Sequence, residues 1–249
     1  MKCVILAGGL GTRLAEETTT KPKPMVKIGN YPIILHIMKI YRSYGIKEFV
    51  ICTGYKHTII LNYFKKFLIK KNKNICEYYD HINDLKISCI YTGKKTNTAG
   101  RILKIKSFLK GEKKFFLTYG DGLSDINIKS TLKIFDEKKY CALVSAVKPP
   151  ARYGVLIFKK NIVTNFQEKI DNKNIWINGG FFIFTTEIFK YIKNYSSSLE
   201  YEIMPKLIKK RKLISYKHSG FWACMDTLRD KINLNSIWKL KKPYWKNWK

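Results

Sequence analysis

A glycine-rich turn followed by two cations is the first part of the sequence that could do chemistry. The apolar run Cys3–Ala7 leads directly into Gly-Gly-Leu-Gly-Thr-Arg at 8–13, and Lys23 follows one loop later. Glycines let backbone N–H groups approach an anion closely, because no Cβ stands in the way. Arg13 can then grip phosphate oxygens as a fork, and Lys23 can neutralise them as a mobile point charge. The pattern indicates a nucleoside triphosphate site, with a tight turn that binds nothing as the alternative.

Two better-known glycine loops do not match this turn. The P-loop requires Gly, four residues, Gly, Lys and then Ser or Thr, and no such run follows the first apolar segment. The dinucleotide fingerprint requires a third glycine three residues after Gly11, where this chain has Leu14. The turn therefore favours a triphosphate over a nicotinamide or flavin cofactor.

Two aspartates at the ends of apolar runs are the next candidates. Asp121 closes the run 118–121 and is bracketed by glycines, and Asp226 closes the run 220–226. Ligands of open α/β sheets bind at the carboxyl ends of strands. Mg²⁺ is usually held there by one or two carboxylates together with substrate phosphates. The two aspartates are therefore candidate Mg²⁺ ligands, although Asp121 can also be read as a turn residue and Asp226 as a helix cap.

Strand-like and helix-like segments alternate along the chain and would position these residues. Strands are expected at 3–7, 48–52, 87–91, 115–119, 141–147, 155–158, 162–167 and 175–184. Helices are expected at 31–44, 59–68, 102–109, 128–138, 186–191 and 227–240. This alternation predicts an α/β fold with a parallel sheet that is covered by helices.

The composition indicates one folded domain over residues 1–249, because the chain is long enough for a large core and 45% of it is hydrophobic. Its apolar runs are short and interrupted by lysines, so no membrane insertion is expected. The first run leads into glycines rather than a small-residue cleavage site, which predicts a cytoplasmic protein. The six cysteines form no Cys-x-x-Cys pair, so we expect buried free thiols and no zinc site.

The net charge of +30 is typical of nucleic-acid-binding proteins. The excess comes mostly from lysines that are spread along the chain, whereas arginine, the preferred reader of bases and phosphates, is rare. We therefore expect a solvated basic surface and no specific nucleic-acid partner. The segment 242–249 interleaves aromatic residues with lysines, which fits either stacking on nucleic acid or docking onto the domain.

Several runs of the chain resemble the sugar-1-phosphate nucleotidyltransferases, and in particular their cytidylyltransferase branch. The resemblance covers nearly the whole chain and is carried by the runs at 5–14, 16–18, 21–25, 118–122, 166–169, 177–182, 220–222 and 225–230. It implies the nucleotide-diphospho-sugar transferase fold, an α/β fold with a Rossmann-like mixed, mostly parallel sheet and helices on both faces.

The resemblance also implies a reaction. A sugar 1-phosphate, expected to be glucose 1-phosphate, attacks the α-phosphorus of CTP in the presence of Mg²⁺ and gives a CDP-sugar and pyrophosphate. A homo-oligomer is expected. Three alternatives stay open: another nucleotide (UTP, dTTP or GTP), another sugar such as heptose 1-phosphate, and a non-catalytic regulatory protein that binds sugar nucleotides.

Family positions give each candidate residue an expected role. The nucleotide is expected to contact Leu6, Ala7, Gly8, Gly9, Leu10, Gly11, Thr12, Arg13, Lys23, Thr96, Arg101 and Gly120. The sugar phosphate is expected to contact Glu168, Lys169, Asn178 and Gly179. The catalytic residues are expected to be Arg13, Lys23, Asp121 and Asp226, with the two aspartates as metal ligands. The first half of the chain would thus hold the nucleotide, and the second half would hold the sugar and supply the second metal ligand.

Overall fold

A nine-stranded sheet forms the centre of the protein. The computed structural model describes residues 1–149, 155–167 and 175–248. Its strands are β1 (Cys3–Ala7), β2 (Lys27–Ile28), β3 (Tyr31–Pro32), β4 (Glu48–Thr53), β5 (Leu68–Asn72), β6 (Ile75–Asp80), β7 (Leu85–Tyr91), β8 (Lys114–Tyr119), β9 (Gly122–Ser124), β10 (Ala142–Val147), β11 (Val155–Lys159), β12 (Ile162–Gln167), β13 (Ile177–Thr185), β14 (Leu213–His218) and β15 (Trp222–Cys224). The order across the large sheet is β14-β10-β13-β8-β1-β4-β7-β6-β5.

The helices are mostly short. They are α1 (Ala15–Thr18), α2 (Ile33–Ser43), α3 (His57–Phe64), α4 (Thr98–Lys104), α5 (Ile128–Ile134), α6 (Met204–Lys209) and α7 (Leu228–Trp238). Further single turns are 3₁₀ helices at Thr12–Leu14, Lys23–Met25, Lys65–Phe67, Lys106–Leu109 and Thr186–Lys190, and a π-helical turn at Leu199–Ile203.

The large sheet is mixed but mostly parallel, as predicted. Strands β8, β1, β4 and β7 are parallel neighbours. Strand β13 is antiparallel to β8, and β6 is antiparallel to β7. Strand β10 pairs antiparallel with β13, and β5 pairs antiparallel with β6, so β10 and β5 run in the same direction as the four central strands. Because β14 is parallel to β10, seven of the nine strands run the same way.

Helices cover both faces of this sheet, which confirms the predicted layers. Alternate residues of β1 point to opposite faces. Cys3, Ile5 and Ala7 pack in a core layer with residues of α2, α3 and α7. Val4 and Leu6 pack in the other layer, with residues of α4, α6 and the π-helical turn. The carboxyl ends of the central strands are therefore held rigidly between two packed layers.

The prediction was wrong at the β5–β6 hairpin. Leu68 was expected to end a helix, but α3 ends at Phe64 and Leu68 begins β5. The pair β5–β6 extends one edge of the sheet through the short turn between Asn72 and Ile75. All five residues of β5 are exposed, so the hairpin carries no hydrophobic alternation that would have identified it.

The aromatic segment near residue 245 docks onto the domain. Trp245 is fully buried, and its Nε1–H donates a hydrogen bond of 3.3 Å to Nδ1 of His36. Its ring also stacks on Phe221 and Trp238. Because Nε2 of His36 lies 2.9 Å from the carbonyl oxygen of Ile28, the imidazole is bonded on both sides as a neutral ring. Burial lowers the pKa of His36 to about 4.

The cysteines behave as expected from their apolar surroundings. All six are free thiols; five are buried, and Cys224 is half-buried. Among the described residues, none of the helices has the length and apolar character needed to cross a bilayer.

Candidate active site

A cavity of about 920 Å³ opens at the carboxyl edge of the central strands. Its size is that of a typical ligand site. Strands β1 and β8 are parallel neighbours with Leu6 opposite Tyr119, so the glycine turn and Asp121 leave the sheet side by side. The N–H of Gly120 donates a 3.1 Å hydrogen bond to the carbonyl oxygen of Leu6. The cavity therefore lies where ligands bind in open α/β sheets.

A short two-stranded sheet brings the two aspartates together. Strand β15 pairs antiparallel with β9, with Cys224 opposite Gly122. The N–H of Met225 then donates a hydrogen bond of 2.9 Å to the carbonyl oxygen of Asp121. As a result Asp226 lies beside Asp121, although the two residues come from distant parts of the chain.

Lys23 lies between the two carboxylates. Its Nζ atom is 2.6 Å from Oδ1 of Asp226 and 3.0 Å from Oδ2 of Asp121. Nη1 of Arg13 is 2.9 Å from Oδ2 of Asp226. The Lys23 side chain is only 10% exposed, whereas that of Arg13 is 72% exposed. The site thus combines one nearly buried cation with one that is exposed to solvent.

Lys23 and Asp226 stabilise each other's charged forms. Burial opposes the charged form of Lys23, but the charges and hydrogen bonds of Asp121 and Asp226 outweigh it and raise the pKa of the ammonium. Burial also opposes the charged form of Asp226, yet the hydrogen bond from Lys23 and the charge of Arg13 lower the pKa of its carboxyl group. The cluster is therefore a nearly neutral set of two cations and two anions.

The side chain of Asp226 is not the cap of α7. The cap of α7 is Thr227, whose hydroxyl accepts from the N–H of Asp230 while the Asp230 carboxylate accepts from the N–H of Thr227. The carboxylate of Asp226 takes no part in this capping box, and it faces Lys23 and Arg13 instead.

Asp121, Cys224 and Asp226 form a group that could hold a metal ion. One potential ligand atom of each lies within 4.8 Å of the others. Burial, reinforced by the two nearby carboxylates, raises the pKa of the Cys224 thiol, so the anionic donors here are carboxylates. Two carboxylates facing an open pocket are a donor set that suits a hard divalent cation such as Mg²⁺.

Arg101 supports the main chain of the glycine turn through hydrogen bonds. Its side chain is 4% exposed, and Nη2 donates 2.9 Å to the carbonyl oxygen of Gly8. Nη1 donates 2.9 Å to the carbonyl oxygen of Gly93 and 2.7 Å to Oγ1 of Thr92. A Cβ at Gly8 would lie 2.0 Å from Nη1 of Arg101, so a larger residue there would have to displace the guanidinium. The guanidinium therefore fixes main-chain groups of two loops.

A family model described as nucleotidyl transferase matches residues 2–245. The chain belongs to the nucleotidyl transferase family. Members of this family typically use a divalent metal ion, for which the two aspartates are a suitable donor set.

Relatives within the family support the match along the whole chain. Glucose-1-phosphate cytidylyltransferase of Salmonella typhimurium is 40% identical, and the match covers 100% of both chains. Mannose-1-phosphate guanylyltransferase 1 of Arabidopsis thaliana is 30% identical over 93% of this chain and 63% of the relative. The crystal structure of HddC from Yersinia pseudotuberculosis has a TM-score of 0.72 at 22% identity, covering 96% of this chain and 99% of that one. These matches confirm the predicted nucleotide-diphospho-sugar transferase fold.

Most of the predicted site residues of this nucleotidyl transferase line one cavity. They are Leu6, Ala7, Gly8, Gly9, Gly11, Thr12, Arg13, Lys23, Thr96, Arg101, Gly120, Asp121, Asn178, Gly179 and Asp226. Leu10 is the exception among the described residues, because its side chain is 54% exposed and does not line the cavity. Glu168 and Lys169 lie outside the described residues.

Several residues of the same cavity wall were not predicted from the sequence. Tyr119, Thr98, Gly180 and Trp222 line it, and Nε1–H of Trp222 donates 2.7 Å to the carbonyl oxygen of Gly179. Tyr119 directly precedes Gly120 and Asp121, so its position at the strand end was the available signal. Thr98 begins α4 and carried no comparable signal.

Proposed function

We propose that this protein transfers a cytidylyl group from CTP to α-D-glucose 1-phosphate, giving CDP-glucose and pyrophosphate. The observation that carries the proposal is the convergence of Arg13, Lys23, Asp121 and Asp226 on one cavity that is also lined by the glycine turn. The choice of base and sugar is supported by the name of the Salmonella typhimurium relative, which is 40% identical over its full length.

The charges of the cluster suit transfer to a phosphorus centre. Such chemistry needs mainly alignment of the reacting groups and neutralisation of phosphate charge. In the proposed reaction a phosphate oxygen of the sugar phosphate attacks the α-phosphorus in line, and the bond to the leaving pyrophosphate breaks. The protein supplies two cations for the phosphates, and Mg²⁺, when held by Asp121 and Asp226, would neutralise further phosphate charge.

Each cation has a proposed role that follows from its exposure. The exposed Arg13 would bind the β- and γ-phosphates and stabilise the departing pyrophosphate. The nearly buried Lys23 would lie between the α-phosphate and the incoming sugar phosphate. For Lys23 to reach these groups its ammonium has to leave at least one of the two carboxylates, which a metal ion would then neutralise in its place.

The nucleotide and the sugar would bind at opposite ends of the cavity. Main-chain groups of residues 6–13, together with Thr96, Arg101 and Gly120, would hold the nucleotide. Asn178 and Gly179, which begin β13, would line the sugar side, with Glu168 and Lys169 as further contacts to the sugar and its phosphate. Residues 1–249 would thus act as a single domain whose halves bind the two substrates.

The protein is further proposed to be a homo-oligomer of the cytoplasm. Six free cysteines suit a reducing compartment. Light scattering coupled to size exclusion would measure the mass of the assembly, and a mass of 29.2 kDa, that of one chain, would contradict the oligomer.

Pyrophosphate release tests the proposed activity. Purified protein is incubated with Mg²⁺, one sugar 1-phosphate and one of CTP, UTP, dTTP, GTP or ATP. We expect CTP with glucose 1-phosphate to give the highest kcat/KM. Asp226→Asn provides the background rate of pyrophosphate release, because it removes one carboxylate of the cluster but leaves the capping box of α7 intact.

Two outcomes would contradict the assignment in different ways. Faster turnover with UTP or GTP would overturn the cytidylyl assignment and keep the reaction class. GTP is included because the Arabidopsis thaliana relative is named a guanylyltransferase. A higher kcat/KM for a heptose 1-phosphate would overturn the sugar in the same way. No pyrophosphate from any pair would favour the regulatory, sugar-nucleotide-binding alternative, and calorimetry with CDP-glucose would then measure binding.

A further inference from the structure

A carboxylate lies directly behind the cavity wall and bonds to three hydroxyl groups. Glu200 belongs to the π-helical turn Leu199–Ile203 and does not itself line the cavity. The hydroxyl of Tyr119 donates 2.5 Å to its Oε1 atom. The hydroxyls of Thr98 and Ser198 donate 2.7 Å and 2.9 Å to its Oε2 atom. Hydrogen bonds to an ionised carboxylate are shorter and stronger than neutral ones, so these bonds hold their donors firmly.

The partners of Glu200 belong to the two sides of the cavity. Tyr119 ends β8 and is followed by Gly120 and Asp121. Thr98 begins α4, the helix that carries Arg101 and through it supports the glycine turn. Both Tyr119 and Thr98 line the cavity. The Glu200 carboxylate therefore links β8, which leads to the proposed metal ligand Asp121, to α4, whose Arg101 supports the glycine turn.

The bond to Glu200 sets the direction of the Tyr119 hydroxyl. A carboxylate oxygen accepts hydrogen bonds, so the phenol hydroxyl is the donor in its contact with Glu200. The phenol oxygen is then left as an acceptor on its other side, where Nδ2 of Asn178 lies 3.4 Å away. The ring itself is held in place, because it packs edge-on against Phe182 and a Cβ at Gly180 would lie 2.7 Å from it.

We propose that Glu200 is a positioning residue for the sugar side of the cavity. It holds the Tyr119 oxygen as a hydrogen-bond acceptor towards Asn178 and towards a hydroxyl group of the sugar. This proposal rests on the proposed function, because it assigns the sugar to the end of the cavity that Tyr119 and Asn178 line. Glu200 does not line the cavity and reaches the sugar side through Tyr119, whereas its bonds to Thr98 and Ser198 hold the start of α4 and its own turn.

Two single variants and their double variant test this role. Glu200→Gln presents an amide that donates a hydrogen bond as well as accepting one, so the Tyr119 hydroxyl loses its fixed direction. Tyr119→Phe removes the hydroxyl and keeps the ring. We expect each change to raise the KM for glucose 1-phosphate about five- to tenfold, the size of one lost hydrogen bond, while the KM for CTP changes less than about twofold. Because both changes remove the same contact, the double variant should resemble either single variant.

Glu202→Gln is the matched control. This carboxylate lies on the same π-helical turn, but it pairs with Lys206 at the surface, 2.6 Å away, and does not line the cavity. We expect the control to keep both KM values. Melting temperatures of all variants, followed by circular dichroism, separate a positioning role from a structural one.

Several outcomes would overturn the positioning role. The first is an unchanged KM for glucose 1-phosphate in Glu200→Gln. The second is an equal rise of both KM values together with a lower melting temperature. The third is a double variant in which the KM effects of the two single variants add. The wild type reports separately on the proposed function. If it prefers another nucleotide or sugar phosphate, the proposed substrates fail and the same KM comparison is made with the preferred pair. A wild type without any transfer overturns both proposals.

Discussion

The Nζ atom of Lys23 lies 2.6 Å from Oδ1 of Asp226, and the same atom contacts Asp121 at 3.0 Å. A side-chain ammonium thus neutralises the two carboxylates that are proposed to hold a metal ion. An ammonium and a metal ion both favour the same pair of anions, so they compete for them. Binding of a metal ion to Asp121 and Asp226, as proposed, would have to displace Lys23 from this contact.

Replacing Lys23 should separate metal binding from turnover. In Lys23→Ala the carboxylates of Asp121 and Asp226 lose their shared cation, so we expect tighter binding of Mg²⁺ or Mn²⁺ in the absence of nucleotide, measured by calorimetric titration. Turnover should fall about 100- to 1000-fold, as it does when one donor to a developing charge is removed. Lys27→Ala, at an exposed position of β2, should change neither property. Weaker metal binding in Lys23→Ala would contradict the competition.

Removing either carboxylate should abolish turnover without unfolding the protein. Asp121→Asn and Asp226→Asn keep the size of the side chain, and the capping box of α7 at Thr227 and Asp230 remains in place. We expect the rate of pyrophosphate release to fall about 1000-fold or more, since charge neutralisation is usually the largest catalytic term. Circular dichroism should show an unchanged fold. Asp136→Asn on the surface serves as the control, and full activity in either site variant would refute the metal roles.

Arg101 should matter for both stability and nucleotide binding. Arg101→Met leaves the main-chain acceptors of Gly8 and Gly93 without their donor, which should lower the free energy of unfolding by about 2–4 kcal/mol. The freed turn should also raise the KM for CTP more than the KM for glucose 1-phosphate. Gly8→Ala should act in the same direction, because its Cβ would displace the guanidinium. Urea unfolding and initial rates measure the two effects, with Lys104→Met on the same helix as the control.

The stability of the fold should depend on pH through His36. Its pKa is about 4 in the folded protein and about 6.5 when the chain is unfolded, so the unfolded chain binds the extra proton between these values. The contribution of neutral His36 to stability is complete above pH 6.5. As the pH falls from 6.5 to 4, the free energy of unfolding decreases by about 3 kcal/mol in total because of this group.

Urea unfolding of the wild type and His36→Asn between pH 4 and pH 7 measures this difference. The variant is expected to be less stable at pH 7, because it loses the bond from Trp245, but its stability should fall less between pH 6.5 and pH 4. Equal losses in both proteins would show that carboxylates alone cause the acid sensitivity.

The candidate residues of the site could be chosen from local sequence, whereas their supports could not. Arg13 follows the glycine turn and Asp121 lies between two glycines after a strand, where short-range patterns indicate phosphate or metal binding. The contact between Asp121 and Asp226 depends on the pairing of β9 with β15, and three-residue strands are too short to show a hydrophobic period. Glu200 was missed because its partners Tyr119 and Thr98 lie 81 and 102 residues away along the chain.

The fold was predicted where hydrophobic patterns were strong. The buried runs of β1, β4, β7 and β8 and the amphipathic α2 gave the central sheet and one of its covering helices. The exposed β5 and the half-buried β14 have no such pattern, because each lies at an edge of the sheet and is held by pairing on one side. Edge strands of this kind depend on their neighbours more than on their own composition.

The hydrogen bond between Trp245 and His36 joins residues that are 209 positions apart. During translation α2 leaves the ribosome long before Trp245 is added, so the surface around His36 stays exposed to water for most of synthesis. The first core layer is completed only when this late segment arrives. Incomplete chains therefore leave this part of the core uncovered, and exposed apolar surface of this kind favours aggregation.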